Sequence, residues 1–559
     1  MMTKSSSLRQ SRTDAASPSS GGPEGLEGWR LFGVPTRRVA EEARALAPLC
    51  AQTSASMLLT RCPTIVTLLF VGRLGSAQLA AAALAQSVAN VSGNSMIVGA
   101  ANALPTLVSQ AFGAKDYQEC GRWLQRGSLL TLLVAALIAV PWLNMGRILA
   151  SLGQPEELSR EASRYLRMLL PGLVCYAGVQ SQVQFLVAQR IMMPQLRVSV
   201  LVAALHPLMV YLAAFTLGWG NLGAAGALSF SILMTVVGIA VHLHKSGTLF
   251  KPHRTWPHEG WSRRALQRWP EMLRLALPSL VMISEWWASE AGVLAGGYLD
   301  DPDAAVSVLA ISQSCNSVCF MVPIGIAMSG AAKVGNRLGE GDAEGARAVA
   351  VAATCLGFGA TVIVSALILA GRFWVGTAFG ASESVRSLLP PVLAVLAAYV
   401  VADGMTVVLS GILRGCGRQM WLAPVVVGSY WAFGLPVCYL LAFRAGWGPL
   451  GIAVGLFAGT LCHCICCVVL VLRLDYDNEC HRAAEQTARG RALGEAHKAE
   501  LRKKNSNLSM CPDDPDGFGL ADDLNDEGAG LLAAHGGDYS SDVVVELTEV
   551  KQTSDPPLF

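Results

Sequence analysis

Gly218-Trp219-Gly220-Asn221-Leu222-Gly223 returns later in the chain as Gly446-Trp447-Gly448-Pro449-Leu450-Gly451. Each copy stands between two long apolar runs, so the same connection is made twice. Other echoes fall in the same order. Leu84-Ala85-Gln86-Ser87 is echoed by Leu309-Ala310-Ile311-Ser312, and Gln110-Ala111-Phe112-Gly113 by Asn336-Arg337-Leu338-Gly339. Pro48 and Pro278 sit near the start of matching runs. One echo arises by chance; several at a nearly constant offset indicate a duplicated unit.

Working outward, the runs read as spans at about 47–71, 83–110, 128–150, 165–188, 196–218 and 223–244, then 271–298, 303–332, 346–374, 387–413, 420–443 and 448–473. A run of about 20 apolar residues crosses a bilayer. Six spans return the chain to its starting side, so the repeat is parallel rather than inverted. The fold class expected is an all-α polytopic membrane protein, with about twelve transmembrane helices in two pseudo-symmetric six-helix bundles around a central cavity. Its parts are an N-terminal tail (1–41), an N-lobe (42–244), a connector (245–270), a C-lobe (271–474) and a largely disordered tail (475–559).

Composition agrees. The 559 residues are 52% hydrophobic and 15% charged, against about a quarter charged in soluble domains, and mean hydropathy is +0.44. A net charge of +2 and the lack of any nucleic-acid motif give no reason to expect a polyanionic partner. Residues 1–42 hold no apolar core of a secretory signal. The fifteen cysteines lie mostly within apolar runs, which argues against a disulfide framework. Cys462, His463, Cys464, Cys466 and Cys467 match no standard zinc spacing and read as packing groups. No metal or cofactor is expected. No Walker A, HExxH or GxSxG sequence occurs, so an enzyme is not expected either.

Lys and Arg crowd the loops on one side, including Lys115, Arg122, Arg126, Arg190, Lys333, Arg337 and Arg418. By the positive-inside rule both termini are expected in the cytoplasm, with the protein in the plasma membrane or a vacuolar or other endomembrane. In the tail, Glu527-Gly528-Ala529-Gly530-Leu531-Leu532 has the form of an acidic dileucine sorting signal. The basic stretch Arg482 to Lys504 either rests on anionic headgroups or is a solvated helix.

Three acids stand inside apolar runs, all in the second half: Glu285, Glu290 and Asp403. An ionised carboxylate at the bilayer centre costs roughly 3 kcal/mol, so each must face protein or water. Burial disfavours the charged form, which makes such groups candidate proton carriers. A single buried acid as often only bonds a neighbour; three confined to one half favour coupling. Glu285 and Glu290 lie about 140° apart around a helix and point different ways. Glu285 shares a face with Met282 and Ser289, and Asp403 is flanked by Tyr399 and Thr406, so Glu285 and Asp403 are the expected facing pair. Trp286 and Trp287 offer π faces to a flat or cationic ligand, or simply pack. The substrate-binding candidates are therefore Trp286, Trp287, Ser289, Tyr399 and Thr406.

At these residues the chain resembles the multidrug and toxic compound extrusion (MATE) family, in its eukaryotic branch. The resemblance is carried by Pro278-Ser279 through Glu285-Trp286-Trp287-Ala288-Ser289-Glu290, by Lys333-Val334-Gly335-Asn336-Arg337-Leu338-Gly339, and by Leu409-Ser410-Gly411 through Gln419. Val71-Gly72-Arg73-Leu74-Gly75 and Gln110-Ala111-Phe112-Gly113-Ala114 match in the first half, and the whole covers roughly 40–473. The resemblance implies antiport of organic solutes against protons or sodium, with coupling at Glu285 and Asp403 and Glu290 as a supporting acid. Pro105 stands where many relatives have Asp, and Thr406 where many have Gln. The expected function is export of small organic solutes (cations, flavonoid- or alkaloid-like compounds, or organic anions) in exchange for protons by a monomer in contact with lipid. The alternatives are a sodium-coupled antiporter and a lipid-linked substrate flippase. The flippase would need a strongly cationic cavity, and no Lys or Arg is expected at mid-span.

Overall fold

Proline decides which apolar runs stay whole. The computed structural model describes residues 30–31, 33–246, 255–257, 260–261, 263–380 and 382–508. Within them the spans of the first bundle are α1 (Thr36–Gly72), α2 (76–113), α3 (Tyr117–Leu143), α4 (Glu156–Ala188), α5 (Met193–Thr216) and α6 (Gly220–Ser246). The second bundle holds α7 (269–295), α8 (Pro302–Glu340), α9 (Ala343–Gly371), α10 (Glu383–Gly415), α11 (Gln419–Arg444) and α12 (Gly448–Leu472). A further helix, α13 (Tyr476–Leu508), follows. It spans the basic stretch Arg482 to Lys504, one of whose two readings is a helix, while the dileucine-like segment lies outside the described residues. Nine of these helices are long and apolar enough to cross a membrane unaided. Of the rest, α4 opens on charged turns, and α2 and α7 are segmented.

Segmentation follows backbone chemistry. Proline lacks the N–H that would bond the carbonyl four residues back. Pro105 comes just after the break at Asn102–Ala103 in α2, and Pro323 just after the one at Phe320 in α8. In α7 the break falls at Ile283, five residues beyond Pro278. There the amides of Ile283 and Trp286 bond carbonyls three residues back, Leu280 and Ile283.

The duplication is visible atom by atom. In both copies of the opening motif the helix before it ends in a π turn, Leu212–Thr216 and Leu440–Arg444. Gly218 and Gly446 then take φ of 68° and 75°, and Gly220 and Gly448 both take 55°. Only glycine adopts that region freely, which is why these positions recur. A second shared turn precedes α3 and α9, where Asp116 and Asp342 accept from the amides of Glu119 and Gly345 as helix caps.

The bundles meet most closely where α2 and α8 end, on the side of the basic loops. A side chain on Gly113 would bring its Cβ within 2.0 Å of the Asn336 carbonyl oxygen, and one on Gly339 within 2.2 Å of the Gln110 carbonyl oxygen. The contact is reciprocal, each repeat's glycine lying on the other's main chain. Around it, Thr106 donates to the Arg414 carbonyl, Gln110 to the Gly415 carbonyl (3.2 Å) and Gln419 to Thr106 (3.0 Å).

Ion pairs reinforce this basic end. Glu42 of α1 meets Lys333 (2.6 Å) and Arg337 (2.5 Å) of α8, and Arg38 meets Asp342 (2.8 Å). Glu119, buried, accepts from Arg126 (2.7 Å), Arg268 (2.9 Å) and Arg122 (3.1 Å). Arg126 and Arg268 also stack on the Trp123 ring. The early part of α13 reaches both bundles: Glu479 pairs with Arg418 after α10 (2.8 Å), and Arg491 donates to the Ala114 carbonyl after α2 (2.9 Å).

Removing one partner of such a buried cluster leaves uncompensated charge, at a cost of about 3–5 kcal/mol. Glu119→Gln is therefore expected to lower the melting temperature of the purified protein clearly, and Glu119→Gln with Arg126→Met to recover part of it. A single variant that melts like the parent would refute a stabilising role for this cluster.

Large apolar side chains such as Leu69, Leu137, Leu208, Ile363 and Leu367 are exposed on the outer faces. In water they would be a liability; against lipid tails they are the natural surface. The chain is an integral membrane protein.

Candidate functional site

The break in α7 places the first acid. Because the helix restarts at Ser284, Glu285 sits in the first turn of its second segment, Ser284–Ala295. A helix start favours a nearby carboxylate. The break needs room, which α2 supplies: a Cβ on Gly99 would lie 2.6 Å from the Ile283 side chain and 2.8 Å from that of Leu280.

Asp403 occupies the uninterrupted middle of α10 and is 3% exposed. The structure brings the two acids together: the Glu285 carboxyl lies beside that of Asp403, with the Tyr430 hydroxyl as a further neighbour. Thr460 of α12 in turn donates to the Tyr430 oxygen at 3.2 Å. His463 completes the cluster. Its Nδ1 is 3.7 Å from Glu285 Oε2, its ring packs edge-on against Tyr430, and both ring nitrogens are buried without a partner. That is too long for a hydrogen bond and close enough to form one after a small shift.

Glu285 and His463 face a cavity of about 270 Å³ lined by both bundles. The second bundle adds Met282, Trp286, Phe320, Thr406 and Arg414, and the first gives Thr60, Arg61, Asn90, Tyr176 and Gln180 among others. Trp286 meets Phe320 edge to face at 6.1 Å. No residue of 104–113 or 329–340 lines the cavity, so it stops short of the glycine crossing.

The other expected site residues stand elsewhere. Trp287 does not line the cavity; its indole N–H donates to the Val91 carbonyl (3.1 Å) in the π turn Ala89–Asn94 of α2. Tyr399 and Ser289 are buried and off the cavity wall, with Ser289 and Thr460 neighbouring the tyrosine hydroxyl. Glu290 is half-buried and off the cavity wall, as its helical angle from Glu285 requires. Thr406 lines the cavity with its hydroxyl bonded back to the Ala402 carbonyl. One expectation is overturned. Arg61 lies within the first apolar run and Arg414 at the end of α10, and both line the cavity, so cationic side chains are present there.

His463, Tyr430, Arg61 and Arg414 are the residues that sequence reasoning did not assign. Among the described residues no group of three or more His, Cys, Asp or Glu side chains is placed to hold a metal, and every cysteine is a free thiol.

The family model described as MatE matches this chain twice, over residues 53–212 and 279–440, one copy in each bundle. The chain belongs to the MatE family. As a MatE transporter it is not an enzyme. It is similar to Protein DETOXIFICATION 37 of Arabidopsis thaliana, 33% identical over 76% of this chain and 84% of that one. Protein DETOXIFICATION 16 of the same plant is 31% identical over 83% of this chain and 94% of its own. Among solved structures, the eukaryotic MATE transporter AtDTX14 superposes with a TM-score of 0.77 at 28% identity, over 80% of this chain and all of that one. The twelve-helix, two-bundle fold of this MatE protein is thereby shared with a solved relative.

Proposed function

We propose that this transporter expels small organic solutes, xenobiotics among them, in exchange for protons by alternating access, with Glu285 and Asp403 as the coupling pair. The observation that carries the reading is the pair of neighbouring carboxyls, one member on the cavity wall and the other buried off it. Such a pair titrates as a unit. Cargo that bonds Glu285 and a proton that occupies it compete for one group, which is what antiport requires. Glu290 serves as a supporting acid; Trp286 and Thr406 contact cargo directly, while Tyr399, Ser289 and Trp287 hold the surrounding helices.

Taking the basic end as cytoplasmic, with both termini there, the glycine crossing closes the inner side and the described state is outward-facing. Protons entering from outside neutralise the pair and release cargo; the bundles rock; protons leave to the cytoplasm and cargo rebinds. One pH unit supplies about 1.4 kcal/mol and 100 mV about 2.3 kcal/mol per charge. Both bundles of one chain enclose the cavity, so a monomer suffices. The host membrane is the plasma membrane or a vacuolar one.

Proteoliposomes loaded with an organic cation or a flavonoid test this. Efflux is expected to accelerate when an inward pH gradient is imposed and to ignore a sodium gradient of equal size. Acceleration by sodium alone would replace protons by sodium as the driving ion.

A further inference from the structure

Arg61 is the unusual group in the cavity. It lies 11 residues before the end of α1, roughly 16 Å along the helix axis, which is half of a hydrocarbon thickness of about 30 Å. Among the described residues no carboxylate stands within ion-pair distance of it, and no hydrogen bond to its side chain is formed, although it lines the cavity. A guanidinium at membrane depth is retained where it meets water or an anion and is otherwise costly. Its surroundings on the first bundle are neutral: Tyr176 and the carboxamides of Asn90 and Gln180. The single carboxylate on the cavity wall, Glu285, belongs to the other bundle, where it already has Asp403 and Tyr430 as neighbours.

The cavity therefore has a cationic pole on the first bundle, Arg61, and on the second bundle its one carboxylate, Glu285, with Arg414 also on the wall there. The coupling proposed above restricts what fits them. A purely anionic cargo would bind better, not worse, when protons neutralise Glu285, so proton uptake would not expel it. A cargo with a cationic or hydrogen-bond-donating end at Glu285 is displaced. We infer that the transported solutes are amphoteric, carrying a carboxylate, sulfonate or phenolate that Arg61 binds and an amine or donor hydroxyl that Glu285 binds, joined by a flat apolar body packed on Trp286 and Phe320. Guanidinium pairs with such planar anions bidentately, which gives recognition as well as affinity. This assignment rests on the proposed coupling for its Glu285 end; its Arg61 end stands on the unpaired guanidinium alone.

The test is equilibrium binding of rhodamine 110 and its methyl ester, rhodamine 123, to the purified protein by fluorescence anisotropy at neutral pH. The two dyes share the amine-bearing flat ring system and differ in one carboxylate. The acid is expected to bind the parent at least tenfold more tightly than the ester, tenfold being about 1.4 kcal/mol. In Arg61→Gln the ratio is expected to fall below threefold, and in Arg61→Lys, which keeps the charge, to stay above it. A parent that prefers the ester, or a ratio unchanged in Arg61→Gln, overturns the inference. Binding needs no gradient, so acid preference lost with Arg61 in a protein that ignores pH gradients would sink the coupling reading and leave the Arg61 subsite standing.

Discussion

Glu285→Gln is expected to cut pH-gradient-driven efflux at least 100-fold, equivalent to about 2.7 kcal/mol. The amide keeps the shape and cannot exchange a proton. Asp403→Asn is expected to fall by a similar factor, because the two carboxyls are neighbours proposed to titrate as one and either change removes an exchangeable site. The double variant should then be little worse than either single one, the signature of residues acting as a unit. Glu290→Gln, outside the cavity and apart from the pair, should retain most of the rate. The sign of the pH effect follows. Parent efflux rises with outside acidity, since protonation there releases cargo, whereas Glu285→Gln should lose that dependence. Vesicle assays at several outside pH values read all of this, and parental proton-driven efflux in Glu285→Gln would falsify the coupling role.

The glycine crossing carries the second large effect. Gly113→Val places a branched side chain where a carbonyl oxygen stands 2.0 Å from the first added carbon. Overpacking of this kind costs about 1–3 kcal/mol or more, and here the cost falls on the state in which the basic end is shut. Depopulating that state by tenfold takes only about 1.4 kcal/mol. Transport is expected to drop below a tenth of the parent rate. In a cysteine-free background, Met328→Cys, on the cavity wall in the same helix as Gly339, should become more reactive towards an impermeant thiol reagent applied from the basic side. Because the contact is reciprocal, Gly339→Val should do the same. Slow transport with unchanged labelling would mean that the glycines matter for assembly, not for closure.

Much of the architecture could be read beforehand because it is written in short-range signals. Spans follow from unbroken apolar runs, and the duplication from motifs such as the paired glycine turns, whose φ values in the two copies differ by less than 10°. The break in α7 was legible only as a proline. Its position, at Ile283 rather than at Pro278, depends on Gly99 of the opposite bundle, and one sequence does not show that pairing. Glu285 and Asp403 stood out because carboxylates are rare in apolar runs. His463 was hidden by the cysteines around it, which drew the eye to packing, and Tyr430 by being an ordinary aromatic in an apolar stretch. Arg61 did carry a signal, a charge in the middle of α1, and the reading of the flanking run as uniformly apolar passed over it. Trp287 erred the other way: the same pair of indoles sends one ring to the cavity and the other to a carbonyl across the bundle interface, as successive helical positions 100° apart must.

α13 has a mechanical meaning of its own. A rod whose early turns grip Arg418 in one bundle and the Ala114 carbonyl in the other cannot lengthen, because each residue of helix contributes a fixed rise of about 1.5 Å. In the proposed cycle the two halves swing apart on that side, so one grip has to let go while the other holds. In that cycle the segment just past the last span would tie the length of each stroke to the strength of a few charged contacts.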